Sequence, residues 1–379
     1  LAGPIAVIDL AAFDHNADML VRRAAGKPIR LATKSIRVRA LIDRVMKNPG
    51  FAGLMAYSLE EALWLAGHGH KDILVAYPTV DRAALARLAA DDRARAQITI
   101  MIDCVAHLEL IRAAVGGGQP LRVAIDIDSS LRIFERSGHP IHLGVRRSPL
   151  HSAREAGAFA AQIAHYREAQ LVGLMFYDAQ IAGMPDNSVA LRLMKRLSGA
   201  ELADRRREVI DAVVGEAQAP LEIINGGGTG SLHLLAAVDT VTEATAGSGL
   251  LHPTLFDGYD GLGQCPAAYY GLDIVRNPSP RHATAFSGGY IASGPVGKSR
   301  APRPVSAALK IIKSEGMGEV QSPFEIARGH ETPQVGDRQW FRHAKAGEQM
   351  ERFNTSYGIL GDRVAEEMPT YRGEGQNFG

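Results

Sequence analysis

Short apolar runs alternate with amphipathic helical patterns over most of this chain, and that alternation most restricts how it can fold. The runs are rich in Val, Ile and Leu, and apolar residues follow each of them at helical spacing, which is typical of parallel βα units. The runs predicted to be strands are Ile29–Thr33, Gly53–Tyr57, Ile73–Ala76, Ile98–Ile102, Arg122–Ile127, Leu171–Tyr177, Leu221–Asn225 and Val241–Ala246.

Eight such units in about 250 residues match the size of a closed (β/α)8 barrel. An open doubly wound sheet also alternates strands and helices, but it seldom has eight regular units without a switch in pattern. The stretches at 58–69, 81–92 and 106–115 open with a cap-like polar residue or carry apolar residues at helical spacing, so they are predicted helices. We therefore expect a TIM barrel.

After about residue 270 the chain changes to Gly, Pro and short β-like runs, which predict a small β domain. We expect a barrel over residues 1–270 and a C-terminal β domain over residues 271–379. The linker between them is predicted near Tyr270–Pro280, a segment that carries two prolines.

Charge and cysteine content limit the partners and the compartment. The 42 Lys and Arg residues nearly balance 41 Asp and Glu residues, so nothing favours nucleic acid or a membrane surface, and a small-molecule substrate is expected. Cys104 and Cys265 are too few for a disulfide framework and show no close metal-type spacing, which suits the cytoplasm. No apolar run approaches the roughly 20 residues of a membrane-spanning helix, and the first residues do not read as a signal peptide.

Lys34 directly follows the first predicted strand, in RLATKSIR at 30–37. Reactive groups of these barrels lie at the carboxyl ends of strands, where a desolvated amine can form imines with carbonyl compounds. Most lysines at strand ends are simply solvated, so position alone does not assign a role to Lys34.

Two neighbouring loops are rich in small residues and predict a phosphate site. NGGGTG at 225–230 follows the seventh strand and precedes the predicted helix SLHLLAAV, so backbone N–H groups and hydroxyls can meet an anion there. EATAGSGLL at 243–251 places Gly247 and Ser248 after the eighth strand, and phosphate sites recur at these two loops. A plain glycine turn is the alternative. The glycines come too late in the chain for a Rossmann nucleotide site.

Other strand ends offer polar and aromatic side chains. Tyr177 could hydrogen-bond a bound ring, or it could merely cap the barrel core. Arg132 could contact a phenolic oxygen or a carboxylate, or it could be a surface arginine. The remaining strand-end candidates are Tyr57, Tyr77, Asp103, Asp126 and Asp128.

With these features the chain resembles the fold type III pyridoxal-phosphate enzymes, which share the alanine racemase N-terminal barrel. Within that superfamily it is similar to the D-threonine aldolase and D-serine dehydratase branch. The resemblance rests on PIAVIDLAAFDHN at 4–16, Lys34, GLMFY at 173–177, NGGGTG at 225–230 and EATAGSG at 243–249, which occur in the family's order and cover the barrel.

The resemblance implies that Lys34 holds pyridoxal 5′-phosphate as a Schiff base. It also implies a homodimer and a β domain that shares the N-terminal strand 5–10. The cofactor-binding residues that it implies, besides Lys34, are Arg132, Tyr177, Asn225, Gly226, Gly227, Thr229, Gly247 and Ser248.

The chain departs from this branch at two places. Where the branch carries a metal-binding His followed two residues later by Cys or Asp, GDRQWFRHAKAGE at 336–348 has His343 followed by Lys345. An ammonium group repels a divalent ion, so a metal-free site is expected, with His343 as the ligand if a metal binds. Asp178, Gln180 and Gly183 occupy the segment where the aldolases carry a basic His, which leaves His343, Lys345 and His252 as candidate bases.

These features favour a lyase that cleaves or dehydrates a β-hydroxy D-amino acid, with Lys34, His343 and Lys345 as its catalytic residues. An amino-acid racemase is the first alternative, with Lys34 and Tyr290 of the partner subunit as the two bases. A non-catalytic protein that only binds the cofactor is the second alternative.

Overall fold

The computed structural model describes residues 1–133, 141–217, 220–235, 238–295 and 297–379, which form two compact units. The first, called here the sheet unit, contains Leu1–Met19, Lys34–Lys47 and Ser248–Asn377. The second, called the barrel unit, contains Leu20–Thr33, Asn48–Gly247 and Phe378–Gly379.

The strands and helices are numbered in chain order. The strands are β1 (Ile5–Asp9), β2 (Ile29–Ala32), β3 (Phe51–Ala56), β4 (Ile73–Val75), β5 (Ile98–Ile102), β6 (Leu121–Ile127), β7 (Leu131–Ile133), β8 (Ile141–Leu143), β9 (Ala169–Phe176), β10 (Ile223–Gly226), β11 (Glu243–Ala246), β12 (Ala268–Ser279), β13 (His282–Phe286), β14 (Arg303–Pro304), β15 (Leu309–Ile311), β16 (Gln321–Ile326), β17 (Arg338–Arg342), β18 (Thr355–Leu360) and β19 (Arg363–Pro369). The α-helices are α1 (Leu10–Ala24), α2 (Arg39–Val45), α3 (Leu59–Gly67), α4 (Arg82–Ala90), α5 (Asp92–Gln97), α6 (Val105–Val115), α7 (Ala153–Ile163), α8 (Ala179–Ala182), α9 (Val189–Glu216) and α10 (Leu232–Leu235).

Eight parallel strands of the barrel unit close into a barrel in the order β10-β11-β2-β3-β4-β5-β6-β9. Each of them overlaps a predicted strand, so the TIM barrel is confirmed and the open sheet is excluded. The predicted helices are found as α3, α4 and α6. Ser58 begins α3 by accepting the N–H of Glu61, and Asp81 begins α4 by accepting two N–H groups. The helix predicted after the glycine loop is described as α10, while positions 236 and 237 lie outside the described residues.

One cluster of apolar side chains draws on six of the barrel strands, and it is rich in methionine. Unbranched thioether side chains adapt to irregular space, which suits the layers where strands converge. Two half-buried tyrosines, Tyr77 and Tyr177, pack against this cluster. Its buried members are Met55, Leu74, Ala76, Met101, Ala124, Met175 and Ile223.

A buried ion pair joins β2 to β11, where the barrel closes. Arg30 is 1% exposed, and its guanidinium donates to both carboxylate oxygens of Glu243 at 2.6 and 2.7 Å. It also donates to Asp72 at 2.9 Å. Burial by itself would lower the pKa of the Arg30 guanidinium, but Glu243 and Asp72 hold it above its ordinary value. Asn225 donates its amide N–H to Glu243 at 2.7 Å, so the network extends to β10.

The sheet unit is built on one sheet, in the order β15-β16-β13-β12-β1-β18-β19, with β17 paired to β12 and β14. The N-terminal strand β1 lies inside it, antiparallel to β12 and parallel to β18. Aromatic rings fill its core. Phe341 stacks on Tyr270 with ring centroids 5.3 Å apart and contacts Phe324 at 5.4 Å.

The linker predicted near Tyr270–Pro280 was wrong, because most of that segment is strand. β12 runs through it and pairs with β1, β13 and β17. Pro278 is tolerated near the end of β12 because the pairing with β13 shifts register there. The domain boundary after residue 270 stays a prediction.

The helix α9 spans 28 residues and buries several charged side chains along one side. Ser188 begins it by accepting the N–H of Leu191 at 3.2 Å. Arg205 and Arg206 face the protein interior and are 8% and 3% exposed. Within the described ranges, no helix is both long enough and apolar enough to cross a membrane.

Replacing Glu243 by alanine should destabilise the chain by about 3–5 kcal/mol, because it leaves the buried Arg30 guanidinium without its main partner. Urea unfolding measures the free-energy change. Glu325→Ala is the matched control, since Glu325 pairs with Arg281 at the surface and should contribute less than about 1 kcal/mol. Equal losses in the two variants would contradict a special role for the buried pair.

Candidate active site

The loop after β10 follows a backbone path that requires glycine. Gly227 has φ +80°, in the left-handed region, and a Cβ added there would collide with the side chain of Leu235. The Gly228 N–H donates to the Ser231 hydroxyl oxygen at 3.0 Å, which fixes the turn. A loop of this kind lets an anion approach backbone N–H groups directly.

A buried carboxyl group supports this glycine loop from behind. The Ser231 hydroxyl donates to Asp178 Oδ1 at 3.1 Å, and Asp178 is only 2% exposed. Burial raises the pKa of Asp178 to about 7, although the nearby Arg206 guanidinium opposes the shift. Arg206 itself lies over the Phe176 ring, 5.3 Å from its centroid. The charge of Asp178 therefore changes near neutral pH, immediately behind the loop.

The Tyr177 ring lies beside the glycine loop. Its Cε2 atom is 3.8 Å from the position that a Cβ on Gly228 would take. The Arg147 guanidinium covers the rings of Tyr177 and Tyr77, at 5.5 and 5.6 Å from their centroids. Cation–π contacts of this kind fix the positions of both rings.

Arg132 is held by the turn that follows β6. Its Nη2 donates to Asp128 Oδ2 at 2.6 Å, and Asp128 also accepts from the backbone and hydroxyl of Ser130. Burial would raise the pKa of Asp128, but these bonds hold it below its ordinary value. Arg205 of α9 donates to the carbonyls of Asp128 and Ser130 at 2.8 and 3.0 Å, which fixes the turn from outside.

A cationic cavity of about 480 Å³ adjoins this turn. Among the described residues, three guanidinium groups line it, and the one carboxylate, that of Asp128, is already bonded to Arg132. The local field therefore favours a bound anion. The lining residues are Asp128, Arg132, Ile141, His142, Arg146, Arg147, Ser148 and Pro149.

The other cofactor-binding residues predicted in the barrel unit lie at the ends of β10 and β11 or in the loops that follow them. Gly226 ends β10, Thr229 is buried in the loop, and Gly247 directly follows β11. Asn225 differs from them because its amide serves the barrel interior. It donates to Glu243 and accepts from the Thr245 hydroxyl at 2.9 Å.

Lys34 belongs to the sheet unit and lies in a short 3-10 turn directly after Thr33. Its carbonyl accepts from Arg37 Nε at 3.2 Å. A Cβ on Gly347 would collide with that carbonyl, so glycine at 347 lets the two backbones approach closely. Arg37 in turn pairs with Glu351 at 2.7 Å, which fixes the turn that carries Lys34. Ser248 also lies in this unit, immediately after Gly247 in the chain.

The two C-terminal candidates differ in environment. His343 follows β17, is 3% exposed, and has a pKa lowered to about 3, first by burial and then by Arg342. Among the residues that the structure describes, neither of its ring nitrogens has a hydrogen-bond partner of ordinary geometry. Lys345 instead donates to the Ser293 hydroxyl at 2.9 Å. Among the residues described, His343 belongs to no cluster of three potential metal ligands.

Two other candidate bases also lie in the sheet unit. His252 is buried, and burial is the first cause that lowers its pKa. Tyr290 contacts the Ser287 hydroxyl at 3.0 Å, and burial raises its pKa.

Sequence reasoning missed the residues that support the loops. Asp178 was noted only as a departure from the family, and Arg206 lies in the run RRR at 205–207, which resembles a solvated helix face. Arg146 and Arg147 carried no motif. Their positions depend on tertiary packing, and no local pattern reveals it.

Comparison with known proteins gives the family. Residues 8–247 match the family described as alanine racemase, N-terminal domain. The chain belongs to this family. The recognition made from the sequence is thereby confirmed for the barrel.

One relative of this chain is an aldolase, which belongs to the lyases. The 3-hydroxy-D-aspartate aldolase of Paracoccus denitrificans (strain Pd 1222) is 25% identical over 251 residues, which cover 65% of this chain and 59% of that enzyme. The chain thus spans less than two thirds of that relative's length.

Solved structures share the fold over nearly the whole chain. D-threonine aldolase from Filomicrobium marinum has a TM-score of 0.79 at 18% identity, covering 97% of this chain and 94% of that one. D-threo-3-hydroxyaspartate dehydratase from Delftia sp. HT23 has a TM-score of 0.72 at 19% identity, covering 98% and 97%. The barrel and the accompanying sheet are therefore a known combination.

Asp178→Asn should change how stability depends on pH. The pKa of Asp178 is raised in the folded protein, so the folded state binds more protons than the unfolded state between about pH 4 and 7. This group therefore reduces wild-type stability as the pH rises through that window, and the asparagine variant lacks that loss. Urea unfolding from pH 4 to 8 measures it. Parallel profiles of wild type and variant would contradict the assignment, and Asp362→Asn, at a side chain 97% exposed, is the control.

Proposed function

We propose that this chain is a pyridoxal 5′-phosphate-dependent lyase that acts on a β-hydroxy D-amino acid, by aldol cleavage or by dehydration. The observation that carries the proposal is the glycine loop after β10, which Ser231 and Asp178 support and which the Tyr177 ring flanks. Family membership and the lyases among the relatives support it further.

The residues present fit the cofactor. The space that a Cβ would fill at Gly227 and Gly228 is taken up by Leu235 and Ala182, so the loop can follow this path only with glycine at both positions. Tyr177 offers a ring face beside that loop, and Arg132 offers a guanidinium for an oxygen. We assign phosphate binding to Gly226, Gly227, Thr229, Gly247 and Ser248, with Asn225 holding β10 in place. The cofactor, when bound, supplies an electron sink for charge at the substrate Cα.

Lys34 has two tasks in this proposal. Its amine would hold the cofactor covalently and would become available again once the substrate amine had replaced it. The free amine can then move a proton at the substrate Cα. The exposed side chain of Lys34, on a turn fixed by Arg37 and Glu351, suits both tasks.

His343 and Lys345 are proposed to act on the substrate hydroxyl. Burial keeps the His343 imidazole neutral at pH 7, so a ring nitrogen can accept a hydrogen bond from the substrate hydroxyl. Lys345 supplies a positive charge where related enzymes are expected to hold a metal. The homodimer and the cytoplasmic location predicted from the sequence remain part of this proposal.

The cationic cavity favours a substrate with an acidic side chain. Arg146 and Arg147 line it on the same side of the barrel as Tyr177, since Arg147 covers that ring. A second carboxylate on the substrate would meet these guanidinium groups. A 3-hydroxyaspartate, which two of the relatives are named for, meets this requirement, whereas D-threonine does not.

Lys34→Ala should abolish covalent cofactor binding and reduce lyase activity by about three orders of magnitude or more. Protein loaded with the cofactor is treated with borohydride, and peptide mass mapping then locates the fixed cofactor. It is expected on the Lys34 peptide of wild type and of Lys310→Ala, an exposed-lysine control. Fixation at another lysine in wild type would overturn the role of Lys34.

The reaction is tested with 3-hydroxy-D-aspartate, D-threonine and D-serine, while glycine, aldehyde, keto acid and ammonia are assayed. Release of any of these products supports a lyase. Loss of optical rotation without a product would assign a racemase instead. If the protein binds the cofactor but reacts with none of these substrates, its function is cofactor binding alone.

Arg146→Ala should lower kcat/KM for 3-hydroxy-D-aspartate by about tenfold, the cost of one charge-assisted contact of about 1.4 kcal/mol. The value for D-threonine should change much less, because D-threonine has no second carboxylate. Steady-state kinetics on both substrates gives the ratio, and Arg167→Ala, at an exposed arginine outside the cavity, is the control. Equal losses on both substrates would contradict a subsite for an acidic group.

A further inference from the structure

Three side chains with different metal-binding atoms meet where β5 ends and α6 begins. His107 Nδ1 lies 3.2 Å from Asp103 Oδ1 and 3.4 Å from Cys104 Sγ. All three ligand atoms lie within 4.8 Å of one another, and the cluster is buried or half-buried. We propose that Asp103, Cys104 and His107 bind a divalent cation of the zinc class.

The distances match the edges of a tetrahedral site. Zinc binds nitrogen at about 2.0–2.1 Å, oxygen at about 2.0–2.2 Å and sulfur at about 2.3 Å, so two tetrahedral ligands lie about 3.3–3.6 Å apart. The two measured pairs nearly reach this spacing. The ligand atoms of the third pair, Asp103 and Cys104, lie within 4.8 Å of each other.

The electrostatics of the cluster also favour a cation. The Asp103 N–H donates to His107 Nδ1 at 3.3 Å, and the same nitrogen lies close to the Asp103 carboxylate and the Cys104 sulfur, so a bound cation would replace this long hydrogen bond. Cys104 is the residue before the first turn of α6, and a bound divalent cation would itself stabilise the coordinated thiolate. The divalent ion together with one thiolate and one carboxylate ligand has no net charge.

The ligand set decides which ion binds. One sulfur, one nitrogen and one oxygen atom suit Zn²⁺ or Co²⁺, whereas Mg²⁺ and Ca²⁺ prefer oxygen ligands alone. Three protein ligands leave the fourth position for water or another molecule, as in zinc sites that are open to chemistry.

This site is separate from the His343 segment in sequence and in structural unit. Asp103, Cys104 and His107 all lie in the barrel unit, whereas His343, Lys345 and Cys265 lie in the sheet unit. The proposal is also independent of the proposed lyase activity. Cys265, the only other cysteine of the chain, is half-buried and serves as a matched control for Cys104.

Cobalt titration of the cofactor-loaded, chelator-treated protein tests the site, followed by difference absorption spectra. One thiolate-to-cobalt charge-transfer band per chain is expected for wild type, for Cys265→Ser and for His343→Ala. Cys104→Ser should lose the band. His107→Ala should weaken cobalt binding by about tenfold or more, because one of three ligands is gone. Zinc should displace cobalt, and excess magnesium should not.

Thermal unfolding without added metal identifies any variant that fails to fold, and Cys104→Ala then replaces Cys104→Ser. Absence of the band in wild type would overturn the proposal. Its persistence in a folded Cys104 variant, or its loss in Cys265→Ser or His343→Ala alone, would overturn it equally, since the ligand would then be elsewhere.

Discussion

The ion pair between Arg30 and Glu243 is the contact on which the barrel depends. It joins β2, the first barrel strand in chain order, to β11, the last barrel strand. Both partners are almost fully buried. A charged pair in such a place holds the register only while each charge keeps its partner. Through Asn225 and Thr245 the same network fixes the ends of β10 and β11, from which the two loops proposed to bind phosphate begin.

A second support comes from the helix α9, whose consecutive arginines reach two different loops. Arg205 fixes the turn at Asp128 and Ser130, and Arg206 lies close to Asp178 behind the glycine loop. Burial lowers the pKa of the Arg206 guanidinium, while the Asp178 charge opposes that shift. The two loops are thus coupled through one rigid element, so a change in α9 affects both.

The sequence predicts the barrel strands and the small-residue loops well, because both depend on local patterns: apolar periodicity for strands, and consecutive glycines for loops that backbone N–H groups line. It does not predict Asp178, Arg206 or Arg147, whose roles arise only when distant segments pack together. The linker failed for a related reason. Two prolines near residue 280 favour a loop, yet pairing with β13 extends the strand as far as Ser279. The Asp103, Cys104 and His107 cluster was likewise overlooked, although C-x-x-H directly after a strand is a readable signal.

The close approach of Gly347 to the carbonyl of Lys34 has a consequence for recombining this chain with its relatives. Lys34 follows a barrel strand in the sequence, but its backbone packs against a residue near the far end of the chain. A chimera that took the first half of one protein and the second half of another would separate the lysine from the residue that shapes its turn. Crossover points for such chimeras should therefore keep residues 34–47 together with the C-terminal segment, even though the two are far apart in the gene.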